Sequence, residues 1–295
     1  MYLKDLFARK KGATLSFEIF PPKKNMPMDT IFTTIEGLSN LKPDFISVTY
    51  GAGGSSKDRT VEIASHIKQK HGIEALAHLT CISSTKEEIE GIVAKLQENQ
   101  IENILALRGD LPQDPSFVFP TPLHYRYASD LIYQLKQKKA FCIGAACYPE
   151  GHVECISLEK DIEYLKIKVN AGTDFLITQL FYDNEMFYKF MDKIRKTGVN
   201  IPVLAGIMPM LSKKQIERCL SFSNTALPNK FTRLLEKYGD NTELLTEAGI
   251  YYATEQIIDL LAWGVDGIHI YTMNRPEIAR RITENITPFR RMLQK

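Results

Sequence analysis

With 295 residues and 44% hydrophobic content, the chain can bury the core of one large α/β domain or two modest ones. A formal net charge of +2, with Lys and Arg balanced by Asp and Glu along the whole length, argues against a general nucleic-acid binder. Five cysteines, an odd number with no C-x-x-C pair, supply no disulfide framework and fit a reducing compartment.

The N-terminal "MYLKDLFARKKG" is amphipathic rather than a charged stub followed by an apolar signal core, and no later run is long enough to span a bilayer. A cytoplasmic protein with no membrane contact is expected. Short β-rich runs then alternate with longer helical patterns. The predicted strands are "LSFEIF" (15–20), "DFISVTY" (44–50), "EALAHLT" (74–80), "NILAL" (103–107), "FCIGAAC" (141–147), "FLITQL" (175–180), "PVLAGI" (202–207) and "GIHIYT" (267–272). Between them lie helix-period segments such as "TIFTTIEGLSNL", "DRTVEIASHIKQK" and "EEIEGIVAKLQEN", several closed by a Gly or Pro stop. Eight strand-helix units in a chain of this length match a closed (β/α)8 TIM barrel better than an open doubly wound sheet. No composition shift or low-complexity linker marks a second domain, so residues 1–295 are expected to form a single barrel. The link from 210 to 266 carries the pattern of three helices rather than one, an insertion before the last strand.

A barrel of this kind places its chemistry at the C-terminal ends of the strands. In the first strand Ser16 and Glu18 share one face, and Leu15, Phe17 and Ile19 share the other. The second strand repeats this with Ser47 and Thr49 opposite Ile46, Val48 and Tyr50, and the third with His78 and Thr80 opposite Ala77 and Leu79. Apolar faces packed on the surrounding helices turn the polar sets into the barrel. The fourth strand ends in "RGD" (108–110) and the sixth in "TQL", which carries Gln179. Any one of these groups could be a satisfied core residue, but an apolar core has no use for the whole set at one mouth.

Sharper motifs do not hold. "GAGGSS" (51–56) lacks the G-K-[ST] of a P-loop and the spacing of a dinucleotide fingerprint, and reads as a βα turn with backbone N–H groups near a ligand. Cys147, His152 and Cys155 match no familiar zinc spacing and have no obvious fourth ligand, so no metal is expected. No lysine ends a barrel strand, which leaves a Schiff-base aldolase without its nucleophile.

In these blocks, "SFEIFPPK", "DFISVTYGAGG", "AHLTCI", "ALRGDLP", "YASDL", "AACYPEGH", "NAGTDFLITQLFYD" and "HIYTMNR", the sequence resembles the methylenetetrahydrofolate reductase family from about residue 12 to 285. The resemblance implies a flavin-dependent barrel that passes hydride from a reduced nicotinamide, NADH or NADPH, to a flavin and then to 5,10-methylenetetrahydrofolate, giving 5-methyltetrahydrofolate in one-carbon metabolism. It implies FAD, with FMN as the alternative, and a homo-oligomer. Flavin contacts carry over to Thr49, His78, Arg108, Gly109, Asp110, Tyr127, Ala128, Tyr148, His152, Asp161 and Lys168. Folate contacts carry over to Asp110, Gln179, Gln215 and Arg275, and the nicotinamide to Thr49, Ala52 and Gln179. Three positions depart from the enteric bacterial pattern, with Tyr164 in place of Asn, Ile167 in place of Arg and Cys219 in place of Phe. The first two bear on the grip of the distal half of the flavin cofactor, and the third removes an aromatic stacking partner from the substrate pocket.

Glu18 carries over as the catalytic acid, placed to protonate N10 as the imidazolidine ring of the folate opens. Inside an apolar strand its pKa is expected to be raised. Asp110 beside a flavin would raise the cost of added negative charge and favour hydride donation. Gln179 offers a donor and an acceptor to a heterocycle edge, and Arg275 a bidentate partner for a carboxylate or, alternatively, a salt bridge at a helix start. Two other functions fit parts of the pattern: a flavin-free, pterin-binding methyltransferase barrel, and a subunit that takes electrons from a partner redox protein.

Overall fold

A computed structural model describes residues 1–22, 25–50, 57–112, 114 and 116–293. Eight parallel strands, β1 (Thr14–Ile19), β2 (Phe45–Val48), β3 (Glu74–Thr80), β4 (Asn103–Leu107), β5 (Cys142–Cys147), β6 (Phe175–Thr178), β7 (Val203–Ile207) and β8 (Gly267–Tyr271), close in chain order into a barrel. β1 pairs with β2 on one side and with β8 on the other, which leaves no open edge. The strands at 74–80 and 103–107 have the predicted limits, the first is shifted by one residue toward the N-terminus, and the others are trimmed by one to three residues.

Period-two alternation decides what faces where. Leu15, Phe17, Ile19, Ile46, Val48, Ala77 and Leu79 point outward, fully buried in the layer shared with the helices. The opposite set points inward and changes character with height. Phe45, Leu76, Leu105, Cys142, Phe175 and Leu204 form an apolar floor, and the helix α1 (Leu3–Arg9) closes it from below. The Leu3 amide donates to Asn103 Oδ1 at 2.8 Å, and the Phe7 ring lies 5.1 Å from that of Phe175 and 6.5 Å from that of Phe45. The amphipathic N-terminal segment is therefore the plug of the barrel. Above this floor the inward positions become polar.

Between β1 and β5 the outer layer includes α2 (Asp29–Ser39), α3 (Lys57–His71), α4 (Lys86–Glu98) and α5 (Ala128–Gln137). Past β5 come α6 (Leu158–Asn170) and α7 (Asn184–Lys196), and α11 (Pro276–Leu293) follows β8. Between β7 and β8 the three expected helices are present: α8 (Lys213–Phe222), α9 (Asn229–Tyr238) and α10 (Thr242–Trp263). They enclose a separate apolar cluster of Leu180, Tyr182, Met208, Met210, Ile216, Phe231 and Leu245 beside the barrel mouth. Gly249 makes that packing possible, since a Cβ there would stand 1.8 Å from the Met210 carbonyl oxygen. Among the described residues, no helix is long and apolar enough to cross a membrane.

Candidate active site

Strand register gathers the polar residues into a layer. Ser16 lies beside His269, and Glu18 lies between Ser47 and Tyr271. The Glu18 carboxylate is the centre of this layer: its Oε2 is 3.4 Å from His78 Nε2, 3.4 Å from His269 Nε2 and 3.5 Å from the Ser47 hydroxyl that donates to it. With a side chain 18% exposed, Glu18 opens toward the mouth, whereas His269 below it is fully buried. His269 Nδ1 is 2.7 Å from the Ser16 hydroxyl. The strand pattern around Glu18 does not single out His269. Its signal is the same alternation, a histidine between Ile268 and Ile270 on the inward face of "GIHIYT".

This arrangement corrects the expected acidity of Glu18. Burial alone pushes the carboxyl up, but the hydrogen bond with His269, the charges of His78 and His269 and the Ser47 hydroxyl together outweigh it and hold Glu18 below the usual Glu range. The partners come from three other strands, which is why β1 alone gives the wrong sign. Burial pushes His78 down to about 4, with His269 adding to the effect against the pull of Glu18. His78 is therefore neutral at pH 7, and its buried Nε2 makes no hydrogen bond among the described residues. The Arg108 guanidinium pairs with Glu154 rather than Glu18, donating through two bonds of 2.5 and 2.8 Å.

A second wall runs from β4 to α6. Gly109 follows Arg108 with φ of 86°, and a Cβ there would come within 2.9 Å of Thr80, so this turn requires glycine. Asp110 next to it is exposed. The Tyr148 and His152 rings meet edge to face at 4.8 Å. The ammonium of Lys168 lies 5.6 Å from the Tyr148 ring centroid and donates to the Ala146 carbonyl at 2.6 Å. Asp161 accepts from the His152 amide at 3.3 Å. Burial drives the two α6 charges toward neutrality, Lys168 down and Asp161 up, each partly offset by its neighbours. Tyr148, His152, Asp161 and Lys168 thus lie in one cluster. Thr49 directly follows β2, its amide donating to the Ile19 carbonyl at 3.0 Å. Tyr127 and Ala128 begin α5, with the Tyr127 amide capped by Asp130 at 2.9 Å.

The remaining predicted residues stand apart or are engaged locally. Gln179, just past β6, accepts from the Leu180 amide at 3.0 Å through Oε1. Gln215 closes the start of its own helix, accepting from the Leu211 amide at 2.9 Å and donating to the Pro209 carbonyl at 3.3 Å. Arg275 pairs with Glu277 at the start of α11, the helix-start salt bridge named as its alternative role. Ala52 and the rest of 51–56 lie outside the described residues. Cys147 is buried, with its thiol pushed up to about 12 by burial, and among the described residues no cluster suited to a metal ion occurs.

Comparison with known proteins settles the family. The family model described as methylenetetrahydrofolate reductase matches residues 3–287. The chain belongs to the methylenetetrahydrofolate reductase family. Within that family, it is 38% identical over 272 residues to the 5,10-methylenetetrahydrofolate reductase of Escherichia coli (strain K12), covering 92% of this chain and 90% of that one. It is 37% identical over 289 residues to methylenetetrahydrofolate reductase (NADH) 1 of Arabidopsis thaliana, covering 94% of this chain but 49% of the plant protein. The chain thus spans about half the length of its plant relatives in the family and most of the bacterial ones. Among solved structures, a Clostridium thermocellum protein described as binding two copies of 5-methyl-5,6,7,8-tetrahydrofolic acid superposes with a TM-score of 0.68 over 99% of this chain and 98% of that one; at 16% identity this shows the shared fold alone.

Proposed function

We propose that this chain reduces 5,10-methylenetetrahydrofolate to 5-methyltetrahydrofolate, with a reduced nicotinamide as donor and FAD as the bound relay. The observation that carries this reading is the family match across 3–287, in a chain that sets a carboxylate at the mouth of a closed barrel. The residues fit a flavin on the structure's own terms. His78 offers a buried ring nitrogen with no hydrogen-bond partner among the described residues, and the Gly109 turn leaves no room for a side chain. Thr49, His78, Arg108, Gly109, Asp110, Tyr127 and Ala128 would hold the flavin end, and Tyr148, His152, Asp161 and Lys168 the ribityl and adenylate end. Bound there, FAD supplies the hydride relay between the two substrates.

The chain's own residues do the rest. Asp110 places a negative charge beside the ring site and so opposes further negative charge there. Gln179 presents an amide to the heterocycle edge of the folate and, in turn, to the nicotinamide. Gln215 and Arg275 exchange their local partners for the folate, Arg275 giving up Glu277 for the glutamate carboxylate. Glu18 delivers a proton to N10 as the ring opens. The five free cysteines support work in the reducing cytoplasm.

One shared pocket implies ping-pong kinetics. The test is anaerobic: FAD-loaded protein is mixed with NADH and its flavin absorbance followed, then 5,10-methylenetetrahydrofolate is added. Bleaching by NADH, recovery with folate and parallel initial-rate lines are expected. A protein that takes up no FAD, or intersecting lines that demonstrate a ternary complex, would sink the reading in that form. Bleaching only by a separate redox protein would assign the electron supply to a partner.

A further inference from the structure

Glu18 presents a difficulty that its surroundings also resolve. A carboxylate held below its usual range is ionised at neutral pH and has no proton to give. Beneath it, however, lies a fully buried imidazole with a defined orientation. The Ser16 hydroxyl donates to the Ile268 carbonyl at 3.3 Å, so at its 2.7 Å contact with His269 it acts as acceptor and Nδ1 carries a hydrogen. That leaves Nε2 facing Glu18 Oε2 at 3.4 Å. Two lone pairs cannot face each other there at low cost, so a single proton belongs between them. Among the described residues, the groups that face His269 are Ser16 and Glu18 from β1, Ser47 and the Phe45 ring from β2, His78 from β3 and the Tyr271 ring from β8. Glu18 is the only carboxylate among them.

We infer that His269 is the positioning residue of the folate half-reaction, sharing one proton with Glu18 and holding it on Nε2 until a substrate covers the mouth. This rests on the proposed reduction for its use, though the shared proton itself does not. In the open site the shared proton rests on the ring, between Nε2 and Glu18 Oε2. When bound substrate excludes water, the loss of solvation favours the neutral pair. The Nε2–H bond then breaks as the Glu18 O–H bond forms. Glu18 next gives that proton to N10 as the bond from N10 to the methylene carbon breaks. After product leaves, solvent at the mouth returns one proton to the pair. Ser16 fixes the ring so that Nε2, not Nδ1, faces Glu18.

The first test needs neither cofactor nor substrate. Protein labelled with 15N-histidine is titrated by NMR, and the His269 signals are assigned by their loss in His269→Gln. In Glu18→Gln the His269 midpoint is expected to fall by about one pH unit or more, a tenfold change in proton affinity. An unchanged midpoint, or a His269 already neutral at pH 7 in the unaltered protein, overturns the inference. The second test follows the folate half-reaction of His269→Gln between about pH 5 and 8. Its rate relative to the unaltered protein should be roughly tenfold lower at the alkaline end than at the acid end, where solvent can protonate Glu18 directly. A loss that is uniform across pH marks a packing role and overturns it. Ser16→Ala, a smaller change to the core, should shift the profile in the same direction, and no shift counts against the inference. If the unaltered protein reduces no folate, the proposed function fails while the NMR titration still decides whether the proton is shared.

Discussion

Three neighbours favour the charged form of Glu18, so its behaviour depends on what covers the mouth rather than on its strand. Glu18→Gln keeps the size and a hydrogen-bonding amide but cannot deliver a proton. The folate half-reaction should fall by about 100-fold or more, the scale of losing a general acid, and the reduction of flavin by NADH far less. Stopped-flow measurement of the two half-reactions separately checks this, and an equal loss in both would make Glu18 structural. Gln179→Ala should weaken folate binding by about 1–3 kcal/mol, because its loss leaves polar groups of the bound heterocycle unpaired; equilibrium titration of the oxidised enzyme measures it. At this scale the sequence told which residues turn inward, since Ser16, Glu18, Ser47 and His78 follow from alternation alone. It could not tell that Glu18 has two histidines for neighbours, because that depends on the register of β1 against β8 and on the stagger of β3. The sign of the Glu18 shift was lost for the same reason.

Among the elements, α1 shows where periodicity stops being informative. Its amphipathic pattern reveals an apolar face but not the surface that receives it. The receiving surface is the barrel floor, assembled from β2 through β7, where Leu3 is fully buried. Leu3→Ala should therefore cost about 2–5 kcal/mol, as expected for a buried leucine whose cavity cannot collapse against a rigid sheet. A urea midpoint measures it, and a loss of only a few tenths would mean that α1 merely rests on the barrel. The strands, by contrast, were legible almost to the residue, because parallel barrel strands are short, β-rich and bounded by helical patterns. The three helices before β8 were legible as helices. Their enclosure of the Tyr182 and Phe231 cluster was not, since it rests on the close approach allowed at Gly249.

For the molecule as a whole, the polar layer inside an apolar barrel should appear in how stability depends on pH. His78 is pushed down to about 4 by burial, while in the unfolded chain it takes up a proton near pH 6.5. Between those values the unfolded state binds more protons, so stability rises with pH through the window and is lost as pH falls through it. Glu18 acts in the same direction further into acid: its lowered folded value gives stability that is present above the ordinary carboxylate range and lost as pH falls through the folded pKa. Asp161 and Glu150, both raised by burial, act oppositely, contributing stability that is lost as pH rises through their folded values. Asp161 and Glu150 contribute equally to a variant that leaves them in place, and Glu18, which His78 helps to lower, titrates below this window, so between pH 7 and 5 comparison with His78→Gln isolates the histidine. Lowering the pH from 7 to 5 should cost the unaltered protein about 2 kcal/mol more than it costs His78→Gln, read from urea midpoints at each pH. Equal losses in the two proteins would mean that His78 takes up its proton in the folded state, and that the layer around Glu18 carries an additional positive charge at mildly acid pH.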